Sequence, residues 1–357
     1  MSTRSFVMRC DAAPVIGAGH LVRCVALALA LQRQGHVVEF LSRPSRSAEE
    51  HLGGLGLQVT WSAETSGGVD DTLSETDADA TIALALDRGA GCVLVDHYGA
   101  DIAYLRALRT AGLAAAVIDD RADRDLRDAD WLLNQNLGAP SLPYRTRPDA
   151  VLLLGPGYAL LRPEFVLRRD RMQRTYGPDD RRVLVTFGGG DTSPYCLETL
   201  ESLEHIEKPL EVRCVLGFDA TQDRGLEALA ETSHHAVELL RGVDSMAEQM
   251  CWADVSANAG GSTCWELLCL GVPMVVARLD AGETGNAATL PAAGLALAAE
   301  SPAAVGQAVE ALLADPARRR QLSLGGARLV DGAGADRAAV SLAAVAAPVG
   351  EVIRADH

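Results

Sequence analysis

The sequence predicts an α/β fold made of two consecutive units, each a parallel sheet covered by helices on both faces. Three observations carry that expectation. At 357 residues the chain is long for one hydrophobic core. Short apolar runs alternate with helical patterns, stop in a charged, proline-bearing stretch, and then start again. Apolar residues make up 48% and aromatics only 4%, a composition that suits helices layered on strands better than an aromatic-rich β-sandwich.

The elements follow in order. Phe6-Val-Met-Arg9 reads as a first strand and runs into a turn, Gly17-Ala-Gly-His20. Leu21, Cys24, Ala28 and Leu31 then recur at helical spacing, and Gly35 ends that helix. Val37–Leu41, Cys92–Val95, Ala114–Ile118 and Trp131–Leu133 are further strands of the first half. The stretch from Arg162 to Arg182, with Arg168-Arg-Asp-Arg-Met172 at its centre, fits a hinge better than a core element. Beyond it, Val183–Phe187, Val212–Leu216, Ala253–Ser256 and Met274–Ala277 read as strands. The expected organisation is a first domain over 1–165, a linker over 166–181, a second domain over 182–335, and a C-terminal helix and tail over 336–357. Two α/β units in tandem make a cleft between them the default ligand site.

Charge narrows the function. With 48 acidic and 32 basic side chains the net charge is −16, which argues against nucleic acid as a partner. A small anion remains compatible, because backbone amides at helix starts bind phosphate whatever the overall charge. None of the eight cysteines forms a CxxC pair, and most lie in apolar runs, as expected of buried thiols in a reducing compartment. Cys264 and Cys269 have no histidine near them in sequence, so no metal site is expected there. No apolar run approaches the length of a membrane span, and the expected location is the cytoplasm.

Four constellations can carry chemistry. In the first, Arg9-Cys-Asp11 precedes Gly17, Gly19, His20 and Arg23. Glycines let backbone approach a ligand, and a positive helix end favours the neutral imidazole that a general base needs. Asp11, or another carboxylate, would orient the second ring nitrogen of His20; the competing reading makes His20 a helix cap and Asp11 a turn residue. The spacing is not the dinucleotide fingerprint. The second constellation is a set of polar clusters at strand ends: Asp96-His97-Tyr98, Asp119-Asp120-Arg121 and Asn134-Gln-Asn136. Such ends commonly face ligand in open α/β sheets, although each cluster alone is compatible with an Asx-type turn. The third, Gly188-Gly-Gly190-Asp191-Thr192-Ser193, follows a strand and reads as a phosphate cradle without the lysine of a P-loop. The fourth is Asn258-Ala-Gly260-Gly261-Ser262-Thr263-Cys-Trp-Glu266. There the glycines and hydroxyls suit a diphosphate and Glu266 suits ribose, or else Ser262 and Glu266 simply cap a helix.

Taken together, these segments resemble the UDP-2,4-diacetamido-2,4,6-trideoxy-β-L-altropyranose hydrolases of pseudaminic acid biosynthesis, which are similar to spore-coat polysaccharide glycosyltransferase-like proteins. The resemblance runs from Arg9-Cys-Asp11 through Val95-Asp-His-Tyr98, Leu154-Gly-Pro-Gly-Tyr158 and Phe187-Gly-Gly-Gly-Asp191 to Gly260-Gly-Ser-Thr-Cys-Trp-Glu266. It implies a GT-B-type fold, two Rossmann-like domains facing a central cleft. It also implies that a UDP-sugar is the ligand, with nucleotide held by Gly189, Asn258, Gly260, Gly261, Ser262, Thr263 and Glu266. His20 takes the place of the family's general base, which activates water against the anomeric carbon with inversion, and Tyr98 falls near the sugar. No metal or cofactor is required in that scheme. A glycosyltransferase passing the sugar to an acceptor is the alternative, because one fold hosts both reactions. The stretch Asp280-Ala-Gly-Glu-Thr-Gly-Asn286 lacks the Asn-Gln pair that the family usually shows there.

Overall fold

The computed structural model describes residues 2–12, 19–63, 71–171, 174–217, 223–279 and 285–346. The chain divides into two compact units: Met1–Arg162 joined by the stretch from Ala333 onward, and Pro163–Gly332.

In the first unit the described strands are β1 (Ser5–Cys10), β2 (Val37–Ser42), β3 (Gln58–Trp61), β4 (Ala90–Asp96), β5 (Ala114–Ile118), β6 (Trp131–Asn134) and β7 (Val151–Leu154). They form one sheet in the order β3-β2-β1-β4-β5-β6-β7, every pairing parallel. The helices α1 (Gly19–Arg33), α2 (Arg46–Gly53), α3 (Glu75–Asp87) and α4 (Ile102–Thr110) make the crossovers between its strands. Gly35, in the left-handed region at φ +84°, stops α1, and the amide of His36 turns back to the Leu31 carbonyl. Ser74 and Asp101 cap α3 and α4 by accepting from the Asp77 and Tyr104 amides.

The second unit begins with α5 (Pro163–Arg169) and repeats the plan with β8 (Arg182–Thr186), α6 (Ser193–Leu203), β9 (Glu211–Leu216), α7 (Arg224–Thr232), β10 (Ala236–Arg241), α8 (Met246–Trp252), β11 (Val255–Asn258), α9 (Thr263–Cys269), β12 (Met274–Ala277), α10 (Asn286–Ala292), β13 (Leu297–Ala299), α11 (Val305–Ala314) and α12 (Pro316–Leu329). Its sheet, β10-β9-β8-β11-β12-β13, is again wholly parallel.

The C-terminal helix α13 (Gly334–Val345) belongs to the first unit. Its Ala335, Ala338, Ala339 and Leu342 join the core formed by Leu21, Leu27 and Leu31 of α1. Trp131 Nε1 donates to Ser341 Oγ at 3.0 Å, and a β-carbon on Gly334 would lie 2.3 Å from the Ala159 carbonyl oxygen.

Two differences from the sequence reading have physical causes. The stretch taken as a linker is tied down by arginines. Arg169 donates to the carbonyls of Cys269, Ala327 and Val330, and Arg174 to those of Met250, Ala253 and Leu270. These carbonyls lie at the ends of α8, α9 and α12, where the last turn has no intrahelical donor. The four strands not anticipated, β3, β7, β10 and β13, are the four sheet edges. β3 and β10 are half-exposed and carry polar residues, and β13 has three residues, so these three lack the apolar run of a central strand, whereas β7, Val151-Leu-Leu-Leu154, has one.

All eight cysteines are free, and seven are buried. Among the described residues no helix is long and apolar enough to cross a membrane.

Candidate functional site

In the first unit, sheet order decides what meets. β1, β4 and β5 are neighbours, with Cys10 level with Asp96 and Val95 level with Val117. Their carboxyl ends therefore bring Asp11, Asp96-His97-Tyr98 and Asp119-Asp120 side by side, next to the start of α1 with His20 and Arg23.

His20 Nδ1 lies 2.7 Å from Asp96 Oδ1. Asp96 is fully buried, and Arg23 grips it with Nε on Oδ2 and Nη2 on Oδ1, both at 2.6 Å. Burial opposes ionisation of this carboxyl, but Arg23 and His20 outweigh it and hold it far below the usual carboxylate range. An ionised Asp96 only accepts, so a hydrogen on His20 Nδ1 meets it, and Nε2 is the ring nitrogen left to serve a ligand. The His20 side chain keeps 13% of its surface exposed, enough for a ligand to reach the ring.

The carboxylate on His20 is thus Asp96, not Asp11. Asp11 Oδ1 accepts from Arg9 Nη1 at 2.6 Å and from the Arg43 amide at 2.8 Å. Arg9, fully buried, spends its other nitrogens on Asp77. Asp11 therefore belongs to a buried arginine network at the end of β1. His97 is also buried; its Nδ1 accepts from the Gly99 amide at 3.0 Å, and burial together with Arg9 pushes the ring down to about 4.

Tyr98 stands edge-on to His20, ring centroids 5.1 Å apart, with the Arg121 guanidinium over its face at 3.9 Å. Its hydroxyl donates to Asp120 Oδ2 at 2.9 Å. Arg23 Nη1 reaches the same oxygen at 2.6 Å, and Asn136 Nδ2 donates to Oδ1 at 2.8 Å. Asp96 and Asp120 were legible as strand-end polar residues; their grip on Arg23, itself 97 positions from Asp120, was not.

Gly17 lies outside the described residues, as do 280–284; Gly19 opens α1.

In the second unit, β8 and β11 are neighbours, so the loops after them come together. Gly188 takes φ +107°, and a β-carbon on Gly217, at the end of β9, would sit 2.2 Å from the Gly190 carbonyl oxygen. The Gly188–Gly190 loop therefore lies directly on Gly217, with Gly189 in that contact. Thr192 and Ser193, where α6 begins, are buried, and their hydroxyls have no hydrogen-bond partner. Unpaired buried hydroxyls at the start of an 11-residue helix suit an anion.

Gly260, at φ +83°, presses on α10: a β-carbon there would lie 2.9 Å from the Ala287 nitrogen. Asn258 is buried and shapes this loop, its Oδ1 accepting from the Gly260 amide at 2.9 Å and from Cys264 Sγ at 3.1 Å. Ser262 and Thr263 sit where α9 starts; Ser262 occupies the N-cap position without a side-chain capping bond. Gly261 has open space around it, and Glu266 is buried one turn into α9.

Among the described residues, Glu204, His234 and His235 lie close enough together to share a metal ion. Both ring nitrogens of His235 already bond backbone, to the Leu210 amide and the Leu203 carbonyl, which leaves it no ligand atom.

Comparison with known proteins places the fold. SnogD, a glycosyltransferase from Streptomyces nogalater, superposes with TM-score 0.68 at 17% identity over 97% of this chain and all of its own. MurG of Acinetobacter baumannii gives 0.66 at 16% identity over 95% of this chain and 99% of that one. UGT2 of Phytolacca americana, solved with UDP-2-fluoro-glucose and pterostilbene, gives 0.65 at 12% identity over 96% and 99%. The fold is GT-B.

In sequence, the chain is 26% identical to the spore coat polysaccharide biosynthesis protein SpsG of Bacillus subtilis, over 68% of this chain and 73% of that one. It is 25% identical to uncharacterized protein MJ1062 of Methanocaldococcus jannaschii over 52% of this chain, a match spanning 39% of that protein's length. No family model matches.

Proposed function

We propose that the protein hydrolyses a UDP-activated deoxy-amino sugar, with His20 as general base. The observation that carries this is the Arg23–Asp96–His20 arrangement, in which the buried Asp96 takes the hydrogen bond of His20 Nδ1 and leaves Nε2 to act on water. Water gives its proton to His20 Nε2 as its oxygen attacks the anomeric carbon. The bond from that carbon to the diphosphate oxygen breaks, and UDP leaves with the electron pair, so the sugar is released inverted. The diphosphate is a good leaving group, and no metal is needed in this scheme. The glycine loops at 188–193 and 260–263 would hold the nucleotide through backbone amides and the free hydroxyls of Thr192 and Ser193, with Glu266 at the ribose. The resemblance to SpsG, a polysaccharide biosynthesis protein, supports a sugar substrate, as does UGT2, solved with a UDP-sugar.

Transfer to an acceptor hydroxyl is the second reading, favoured by the fold that SnogD and UGT2 share with this chain. Incubation with UDP-diacetamido-trideoxy-altrose, without acceptor or added metal and followed by NMR, separates the two. Rapid release of UDP and free sugar supports hydrolysis. Intact substrate, with turnover appearing only when an acceptor is added, establishes transfer instead.

A further inference from the structure

Asp120 joins the start of α1 to the ends of β4 and β6 in the first unit's site. It receives three donors: Arg23 Nη1 at 2.6 Å and Tyr98 Oη at 2.9 Å on Oδ2, and Asn136 Nδ2 at 2.8 Å on Oδ1. Its side chain is 18% exposed, so the cluster borders solvent while Asp96 behind it does not. The consequence concerns Tyr98. A phenol has one hydrogen, and here that hydrogen is committed to Asp120; toward any ligand the oxygen has only lone pairs to offer.

We propose that Asp120 is a positioning residue that turns Tyr98 into a hydrogen-bond acceptor, so that the site selects a sugar bearing a hydroxyl or amide N–H at the position facing Tyr98. This rests on the nucleotide-sugar reading above. It excludes Tyr98 as the acid that protonates a leaving group. Burial and the Asp120 charge both raise the phenol above its usual range, which keeps it neutral at working pH. Asp120 also holds the outer nitrogen of Arg23, whose other two nitrogens grip Asp96 behind His20, so one carboxylate sets tyrosine and base in a common frame.

The test combines two measurements on the full-length protein. In the first, the ring carbon of Tyr98 is followed by NMR through an alkaline titration, assigned with Tyr98→Phe. Asp120→Ala should let the phenol ionise at lower pH than in the wild type, and an unmoved titration overturns the hydrogen bond. In the second, kcat/KM is measured on UDP-diacetamido-trideoxy-altrose and on analogues with one hydroxyl replaced by fluorine or one amide N–H by oxygen. Loss of one hydrogen bond should cost about tenfold. One such analogue should lose that factor with wild type and almost none with Tyr98→Phe, because fluorine accepts but cannot donate. Asp120→Ala should cost less in the Tyr98→Phe background than alone, and Asp120→Asn, whose amide oxygen still accepts, should recover part of the rate. Strictly additive losses, or no analogue discriminated by Tyr98, overturn this inference while leaving the hydrolase reading intact. A wild type that consumes no nucleotide sugar overturns both.

Discussion

Replacing Asp96 with asparagine tests the proposed relay most directly. In the native site its two oxygens accept from His20 Nδ1, Arg23 Nη2, Arg23 Nε and, at 3.5 Å, Cys24 Sγ. An asparagine has one acceptor and one donor end, so whichever way it turns, its NH₂ meets a donor. Facing Arg23, it leaves a buried guanidinium nitrogen unpaired. Facing His20, it donates to Nδ1 and moves the ring hydrogen to Nε2, the atom proposed to take the proton from water. Losing one partner of a buried ion pair costs about 3–5 kcal/mol, and the lower end applies because Arg23 keeps Asp120. The wrong tautomer should lower kcat/KM by about 10³-fold, or ~4 kcal/mol of barrier. The assay is UDP release at a temperature where circular dichroism shows the variant folded, with UDP affinity measured alongside. The expected pattern is lost turnover with unchanged UDP binding. A folded variant within about threefold of wild type would refute the claim that Asp96 fixes the base.

Three further predictions follow from other parts of the molecule. His20→Ala should abolish turnover while UDP affinity, measured by calorimetry, stays at the wild-type value; unchanged turnover would remove the proposed base. Gly217→Ala should weaken UDP binding about tenfold, because its β-carbon would lie 2.2 Å from the Gly190 carbonyl oxygen and push the loop aside. Unchanged UDP affinity in a folded Gly217→Ala variant would argue against a loop held by Gly217. Stability should depend on His97: the folded ring, pushed to about 4, stays neutral, whereas the unfolded ring titrates near 6.5. Its contribution is therefore complete above about pH 6.5 and is lost as pH falls toward 4, on the order of 3 kcal/mol. Denaturant titrations across that range should show the loss in wild type and a flatter profile in His97→Gln.

Much of the fold was legible because central parallel strands are buried on both faces and read as unbroken apolar runs. Phe6–Arg9, Cys92–Val95 and Ala114–Ile118 each lie within an observed strand. Edge strands are less uniform: Gln58–Trp61 is exposed at both ends and half-buried between and looks like loop, whereas Val151–Leu154 is apolar throughout and was legible as a strand. The C-terminal helix could be recognised as a helix, but nothing local says that Ala338 and Leu342 pack with α1, some three hundred residues earlier.

For the candidate site, sequence by itself determined the chemistry available: a histidine opening a helix, carboxylates ending strands, and glycines where backbone must take positive φ or approach closely. Those are local properties, written in residue type and short spacing. Which carboxylate orients His20 was decided only by tertiary structure. Asp11 is nine residues from His20 and Asp96 is 76, yet the 2.7 Å contact belongs to Asp96. The reason is sheet order. β4 lies beside β1, so the end of β4 faces the start of α1, while Arg9 and the Arg43 amide claim Asp11 in the interior. Strand adjacency arises from the pairing of distant segments, and no window of neighbouring residues contains it.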